Sequence, residues 1–162
     1  MSRHVRVAET RCEMSWIVMP SQTNALGTVF GGQVMAWIDV CAAISAQRFC
    51  RSDVVTASMD QLVFQAPIKH GWVAVVIGHV TWAGTTSMEV HVEVLAEDPY
   101  SGARTQTAEA RLTFVALDAD GNKRQVPTLL CETDEQREAQ NGGRERQQAR
   151  LEARARARRG AT

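Results

Sequence analysis

The sequence has 162 residues, 44% of them hydrophobic, which suits one ordinary domain with a buried core and leaves no room for two. This composition excludes a wholly disordered chain. Lys and Arg together number 18, as do Asp and Glu, so the net charge is zero, which argues against a basic nucleic-acid binder. The stretch from Arg144 to Arg159, however, holds seven arginines and carries +5, against −5 for the rest. We therefore expect a mildly acidic body joined to a basic tail.

The apolar runs and the cysteine spacing argue against a membrane span, a disulfide framework and a cysteine metal site. Charged residues interrupt the first positions, and no apolar run approaches the roughly 18–20 residues that span a bilayer, so we expect no membrane association and a cytoplasmic location. The four cysteines are widely spaced and form no C-x-x-C pair, which favours reduced thiols and predicts no metal site: Cys12, Cys41, Cys50 and Cys131.

The first elements in chain order are a strand and a long helix. An apolar strand is predicted over Met14–Met19, and a loop rich in turn-forming residues follows over Pro20–Phe30. From Gly32 to Phe49, apolar residues recur every three or four positions in an Ala-rich segment without proline, which predicts a helix. Its apolar arc is wide, so we expect it to be largely covered by protein.

The pattern after Asp53 is that of β-structure. Four further strands are predicted between turn sequences, over Val54–Phe64, Trp72–Trp82, Met88–Val94 and Thr105–Leu117. Their short links exclude parallel crossovers, so the sheet is antiparallel. One helix cannot cover both faces of five strands, so the sheet wraps the helix and offers an edge or its other face to a second subunit. The predicted fold class is α+β with a central helix, as a dimer.

The start of the predicted helix has features of a reactive site. Backbone N–H groups at Gly31 and Gly32 could stabilise an oxyanion or bind a phosphate, or the glycines could only permit close packing. Asp39 lies in an apolar stretch, where a carboxylate is costly without partners, unless it is a solvated helix acid. The rise from Gly32 to Asp39 is roughly 10 Å, whereas a base and an oxyanion donor must both lie within about 3 Å of the reacting atoms. We therefore expect any active site to be shared between two antiparallel helices of a dimer.

Four motifs together identify a family. The chain resembles the acyl-CoA thioester hydrolases of the hotdog fold in P-S-Q-T-N-A-L-G-T-V-F-G-G-Q-V-M-A-W-I-D at 20–39, V-V-T-A-S-M-D-Q-L-V-F-Q-A-P-I at 54–68, G-T-T-S-M-E-V at 84–90 and F-V-A-L-D at 114–118. The resemblance implies a hotdog domain over 8–131, with a charged C-terminal tail over 132–162. It implies hydrolysis of fatty acyl-CoA, paired subunits, and a trimer of dimers (a homohexamer).

The resemblance also implies roles for individual residues. Asn24 and Asp39 match the catalytic pair, which comes from opposite subunits in related thioesterases, and Thr56 lies near them as a supporting residue. Asp39 is expected to act as the general base on water or, as the less favoured alternative, as a nucleophile that forms an anhydride. The CoA moiety is expected at a turn in which Thr85 stands where the family commonly has a basic residue: Gly84, Thr85, Thr86 and Ser87. Lys123, Arg124 or the basic tail could supply the missing cation. No cofactor and no metal are expected, since coenzyme A is part of the substrate.

Alternatives remain open at this point. A non-catalytic acyl-CoA binding or sensing module on the same fold would keep the pocket without needing an ionised Asp39. The tail, interrupted by Asn141-Gly142-Gly143, could be a solvated helix or disordered, and a nucleic-acid contact is the less favoured use of its arginines. We interpret the histidines as surface or interface residues: His70, His79 and His91.

Overall fold

The described residues form two α-helices and seven strands, with two short 3₁₀ turns at Val7–Thr10 and Pro20–Gln22. The structure, a computed structural model, describes residues 3–160, with side chains through 159. Its elements are β1 (His4–Arg6), β2 (Cys12–Ile17), α1 (Gly31–Cys50), β3 (Asp53–Phe64), β4 (Val73–Ala83), β5 (Ser87–Glu97), β6 (Arg104–Leu117), β7 (Thr128–Leu130) and α2 (Asp134–Gly160). The predicted long helix and five strands are confirmed, with ends displaced by one to three residues.

Five strands form one antiparallel sheet in the order β2-β4-β5-β6-β3. Alternate side chains of each strand point to one face, and those of β4, β5 and β6 that meet α1 are fully buried apolar groups such as Val80, Val92 and Leu112. Gly78 lets the helix approach, because a Cβ there would lie 3.1 Å from Ser45 Oγ and 3.2 Å from Cys41 Sγ. The predicted central helix wrapped by a five-stranded sheet is therefore confirmed.

Strand β3 is an irregular edge of this sheet. Its pairing with β6 shifts register between Thr56 and Ser58 and again between Asp60 and Val63, and Gln61 has a φ of 55°. Such shifts bend a strand and re-aim its side chains. Apolar groups are half exposed along β3 and along the adjoining side of α1, and we call this set the α1–β3 band: Met35, Val40, Val55, Val63 and Phe64.

A second, two-stranded sheet was not predicted. β1 and β7 pair in parallel, with Val5 opposite Leu129, and both side chains are buried. The pair brings the start of the described chain to the segment that leads into α2.

The tail forms one helix, α2, so the helical alternative is confirmed, and its middle part packs on the sheet instead of being fully solvated. α2 runs through Asn141-Gly142-Gly143 without a break. Gly143 is buried, and a Cβ there would come within 2.3 Å of Trp82 Cβ, so the helix lies closer to β4 than any side chain would allow. Residues 161 and 162 of the predicted tail lie outside the described residues, and the division at 131/132 stays a prediction.

The packed part of α2 is anchored by charge. Arg146 donates to both carboxylate oxygens of Glu89, Nε to Oε2 at 2.9 Å and Nη2 to Oε1 at 2.7 Å, and Glu89 is fully buried. Thr81 Oγ1 donates to Oε1 at 3.1 Å, and Arg111 Nη1 lies 3.6 Å from it. Burial alone would raise the pKa of Glu89, but the hydrogen bonds and charge of Arg146, with Thr81 and Arg111, hold it below its usual value.

Within residues 3–160, neither helix has the length and apolarity needed to cross a membrane. The same residues contain no group of three or more His, Cys, Asp or Glu side chains placed to hold a metal ion.

Candidate active site

The start of α1 presents unpaired backbone donors. The first N–H groups of a helix, here those of Gly31 and Gly32, have no intrahelical acceptor, and Phe30, which caps the helix, makes no side-chain hydrogen bond to it. A Cβ at Gly32 would lie 2.9 Å from Phe30 Cε2, so the glycine leaves room for the ring. The N-terminus of α1 is therefore open, with its positive dipole end, to an anionic oxygen.

A cavity of about 450 Å³ adjoins this helix start. Gly31 and Val34 line it from α1, Phe64 closes it from β3, and Ile68 and Ala108 extend its mainly apolar wall. The loop before α1 is held against this wall by a hydrogen bond from Val29 N–H to Ile68 O at 2.9 Å. Its lining suits an apolar chain attached to a polar group at the helix start.

Asp39 and Thr56 form a hydrogen-bonded pair. Thr56 Oγ1 donates to Asp39 Oδ1 at 2.8 Å, joining the middle of α1 to β3. Asp39 is half-buried between fully buried Ile38 and exposed Val40, so it lies where the core meets the α1–β3 band. The bond fixes the orientation of the carboxylate and leaves Oδ2 available to a water molecule.

Asn24 is oriented by its own loop. Its Oδ1 accepts hydrogen bonds from Leu26 N–H at 2.9 Å, and from Thr28 N–H and Oγ1 at 3.3 Å each. Because backbone N–H groups can only donate, they fix which end of the amide is oxygen. The Asn24 Nδ2 group is then an oriented donor on an exposed loop.

The structure brings some of the predicted site residues together within one chain and leaves others apart. Asp39 and Thr56 are in contact, and Gly31 lines the apolar cavity. Asn24 is hydrogen-bonded to its own loop and to neither member of the Asp39–Thr56 pair.

The turn predicted to meet CoA is a tight hairpin between β4 and β5. Gly84 N–H donates to Ser87 O at 2.8 Å, while Thr85 O and Thr86 O accept from Val126 N–H and Ala116 N–H, each at 2.9 Å. Thr86 and Ser87 also line a cavity of about 150 Å³ that extends to α2. The basic tail, expected as one possible source of a cation, contributes Arg150 and Arg154 to this cavity. Sequence reasoning missed Thr113 and Val115 of β6, because their place in the cavity depends on how α2 packs.

A long helix wrapped by five antiparallel strands, with an open helix start and a positioned helix carboxylate, defines a thioester hydrolase of the hotdog fold. The family model of the Thioesterase superfamily matches residues 26–103. The acyl-CoA thioester hydrolase YkhA of Bacillus subtilis, whose name calls it uncharacterised, is 46% identical over 74% of this chain and 69% of its own length. The chain belongs to the acyl-CoA thioester hydrolases of this superfamily.

Solved structures agree with this assignment. An acyl-CoA hydrolase of Staphylococcus aureus in complex with butyryl-CoA, CoA and CoA disulfide has a TM-score of 0.88 at 35% identity, covering 98% of this chain and 96% of that one. Alanine variants of the hydrolase at one aspartate, one threonine and one asparagine have also been solved, and the three positions are spaced as Asp39, Thr56 and Asn24 are here. A hexameric acyl-CoA thioesterase has a TM-score of 0.89 at 37% identity, covering 94% and 98%.

Some relatives are much longer. The human cytosolic acyl coenzyme A thioester hydrolase is 34% identical over 86% of this chain, but the chain spans only 37% of that protein.

Proposed function

We propose that the protein hydrolyses the thioester of fatty acyl-CoA to a free fatty acid and CoA, in an active site shared by two subunits. The observation that carries the proposal is the Asp39–Thr56 hydrogen bond on a helix whose start presents unpaired N–H groups. The equal spacing of the aspartate, threonine and asparagine replaced in the Staphylococcus aureus hydrolase supports these residues as the site. A non-catalytic acyl-CoA binding module would need the cavity but no positioned carboxylate.

The chemistry follows from the roles of these groups. The N–H of Gly31 or Gly32 donates a hydrogen bond to the thioester carbonyl oxygen, which polarises the carbonyl and stabilises the negative charge that develops on that oxygen. Asp39, held by Thr56, takes a proton from water as the water oxygen attacks the carbonyl carbon. The tetrahedral intermediate then collapses, the C–S bond breaks, and CoA leaves as the thiolate, which takes the proton from Asp39 and so restores the carboxylate. Asn24 Nδ2 donates to the water or to the developing charge.

Two subunits are needed to bring these groups to one carbonyl. Gly32 and Asp39 are separated by roughly 10 Å along one helix. The N–H donors at the helix start of one subunit therefore act on the same thioester carbonyl as the Asp39 carboxylate of the other. The α1–β3 band supports this arrangement, because its apolar groups are 41–52% exposed beside the free edge of β3. The hexameric structures of similar thioesterases support a trimer of dimers.

The proposal includes no cofactor and a cytoplasmic location. A thioester is a reactive acyl donor, and the groups named above supply the base and the oxyanion donors. The location is supported by the cytosolic human relative.

Replacement of the base tests the proposal. With acyl-CoA and a thiol reagent, the wild type is expected to release free CoA, and Asp39→Ala is expected to lower kcat by about 10²–10⁴ without changing the oligomer measured by light scattering. Saturable binding of acyl-CoA without release of CoA would instead assign the protein as a binding module, and a near-normal rate in the variant would overturn the role of Asp39.

Mixed oligomers test the shared site. Subunits carrying Asn24→Ala and subunits carrying Asp39→Ala are unfolded and refolded together, so that mixed dimers form. If each site takes Asn24 from one subunit and Asp39 from the other, as we propose, every mixed dimer has one site with both replacements and one intact site, and we expect about a quarter of the wild-type activity to return. If each site lies within one subunit, every site keeps one replacement and no activity returns.

A further inference from the structure

A small polar cavity lies between α2 and the outer face of the sheet, and we call it the α2 pocket. Its volume is about 150 Å³, and its polar lining consists chiefly of Ser58, Ser87, Thr113, Lys123, Arg150 and Arg154. Five separate parts of the chain contribute these groups: β3, the start of β5, β6, the loop after β6, and α2. The pocket exists only because α2 packs against the sheet.

The charge of the α2 pocket is positive. Three cations and no carboxylate line it. Arg150 is partly neutralised, since its Nη1 lies 2.9 Å from Asp60 Oδ2. In the described part of the chain, Lys123 and Arg154 form no ion pair with a carboxylate. Two cations are therefore left to attract an anion.

A buried hydroxyl in the α2 pocket lacks a partner. Thr113 is 5% exposed, and among the described residues no group accepts from or donates to its Oγ1. Leaving such a group unsatisfied costs free energy, so an unpaired buried hydroxyl indicates a missing ligand or water. Ser58 and Ser87 place two further hydroxyls on the same cavity.

We propose that the α2 pocket binds a phosphate group of the CoA part of the substrate, through Lys123, Arg154 and the Thr113 hydroxyl. A phosphate carries several acceptor oxygens and at least one negative charge, which suits two free cations and a cluster of hydroxyls. This inference rests on the proposed function, and it names the groups that hold the substrate away from the reacting carbonyl.

The position of the pocket fits this role. Ser58 lies two residues after Thr56 on β3, roughly 7 Å along the strand, so the α2 pocket and the Asp39–Thr56 pair share one segment of chain. Thr86 and Ser87 of the β4–β5 hairpin line the same cavity as Lys123 and Arg154, so the two cations lie beside this hairpin.

The experiment compares two substrates in two variants. Acyl-CoA carries phosphates, whereas the same acyl group on N-acetylcysteamine presents the thioester without them. In Lys123→Ala/Arg154→Ala we expect KM for acyl-CoA to rise roughly ten- to hundredfold, with the loss confined to KM and no change in KM for the N-acetylcysteamine thioester. Arg156→Ala/Arg158→Ala removes two cations from the same helix outside the pocket, and it is expected to leave both KM values within about twofold.

The outcomes separate this inference from the proposed function. An unchanged KM for acyl-CoA in Lys123→Ala/Arg154→Ala, or an equal rise for both substrates, overturns the phosphate site while hydrolysis stands. If the wild type releases no CoA, the proposed function fails, and calorimetry with CoA decides the pocket. Loss of CoA binding in the double variant then supports the phosphate site in the α2 pocket, and a CoA affinity equal to that of the wild type overturns it. Loss of inorganic phosphate binding with unchanged CoA binding would assign the pocket to a free anion and overturn its role in substrate binding.

Discussion

The two helices of this protein lie on opposite faces of one sheet and are held there by different forces. The buried residues of α1 are apolar except for Ser45, and they fill the face that the sheet wraps around. In α2, Gly143 alone is buried among residues 134–159, and the contacts of the helix with the sheet include the ion pairs of Arg146 and Arg150. Burial of apolar area involves no charge that pH could titrate or dilute NaCl could screen, whereas an ion pair responds to both.

The contributions of the two helices to stability should therefore respond to different conditions. Weakening α1 removes the core and with it the fold. Weakening α2 leaves the core in place but disturbs the surface near the catalytic segment of β3, because Arg150 is paired with Asp60 on that strand.

The largest expected effect on stability comes from the core of α1. Phe49 is fully buried at the end of this helix. Phe49→Ala should lower the free energy of unfolding by about 3–5 kcal/mol, since it removes a large apolar group and leaves a cavity. Urea unfolding at fixed protein concentration measures the loss, and we expect the same value at low and high salt. A strongly salt-dependent loss would contradict the apolar account of α1.

The next largest expected loss of stability comes from the Arg146–Glu89 ion pair, which holds α2 on the sheet. Arg146→Met leaves Glu89 buried without its main partner, and we expect a loss of about 3 kcal/mol, at the lower end for broken buried pairs because Arg111 and Arg150 remain near the carboxylate. Urea unfolding and the helix signal in circular dichroism measure it. The double variant Glu89→Gln/Arg146→Met is the control, and it should recover most of the loss because no unpaired charge remains. Additive losses would show that Arg146 acts through packing alone.

Acid provides the smallest and most selective test. The folded-state pKa of Glu89 lies below its unfolded value. The ionised carboxylate therefore adds to the free energy of unfolding above the unfolded pKa of about 4.3, and this stabilisation is lost as pH falls through the folded-state pKa. The advantage of the wild type over Glu89→Gln in urea unfolding should therefore shrink below about pH 4. Burial and Arg111 lower the pKa of His79 and His91, which also favours unfolding in acid, but both variants share this effect. An advantage that is constant down to pH 3 would contradict the ionised pair.

The sequence allowed the five-stranded sheet and α1 to be predicted, because their periodicities are long and regular. It did not reveal the docking of α2. Glu89 alternates with apolar residues as a solvent-facing strand residue would, and its partner Arg146 lies far away in a segment of mixed charge. Gly143 suggested an interruption of the helix, whereas the structure uses it for contact with Trp82. β1 and β7 are too short to show a period.

The residues of the candidate site also fall into two groups, those that the sequence pattern predicted and those whose roles depend on tertiary packing. Asp39 stood out because a carboxylate is costly in an apolar stretch, and its bond to Thr56 joins residues of two motifs that the family resemblance placed near each other. The orientation of Asn24 by Leu26 and Thr28 depends on a loop conformation that its sequence only suggests. The α2 pocket depends on tertiary packing, and the unpaired Thr113 hydroxyl could not be recognised in a strand of alternating residues.

The pairing of β1 with β7 constrains the order of folding. β1 precedes every other strand of the described residues, yet its partner β7 follows all the strands of the main sheet. Such a contact closes a very long loop, which costs entropy and slows folding when it must form early. We expect the five-stranded sheet and α1 to assemble first, with β1 waiting until β7 is in place. On a ribosome, α2 and the pocket it forms would then be completed only after β7 has been synthesised.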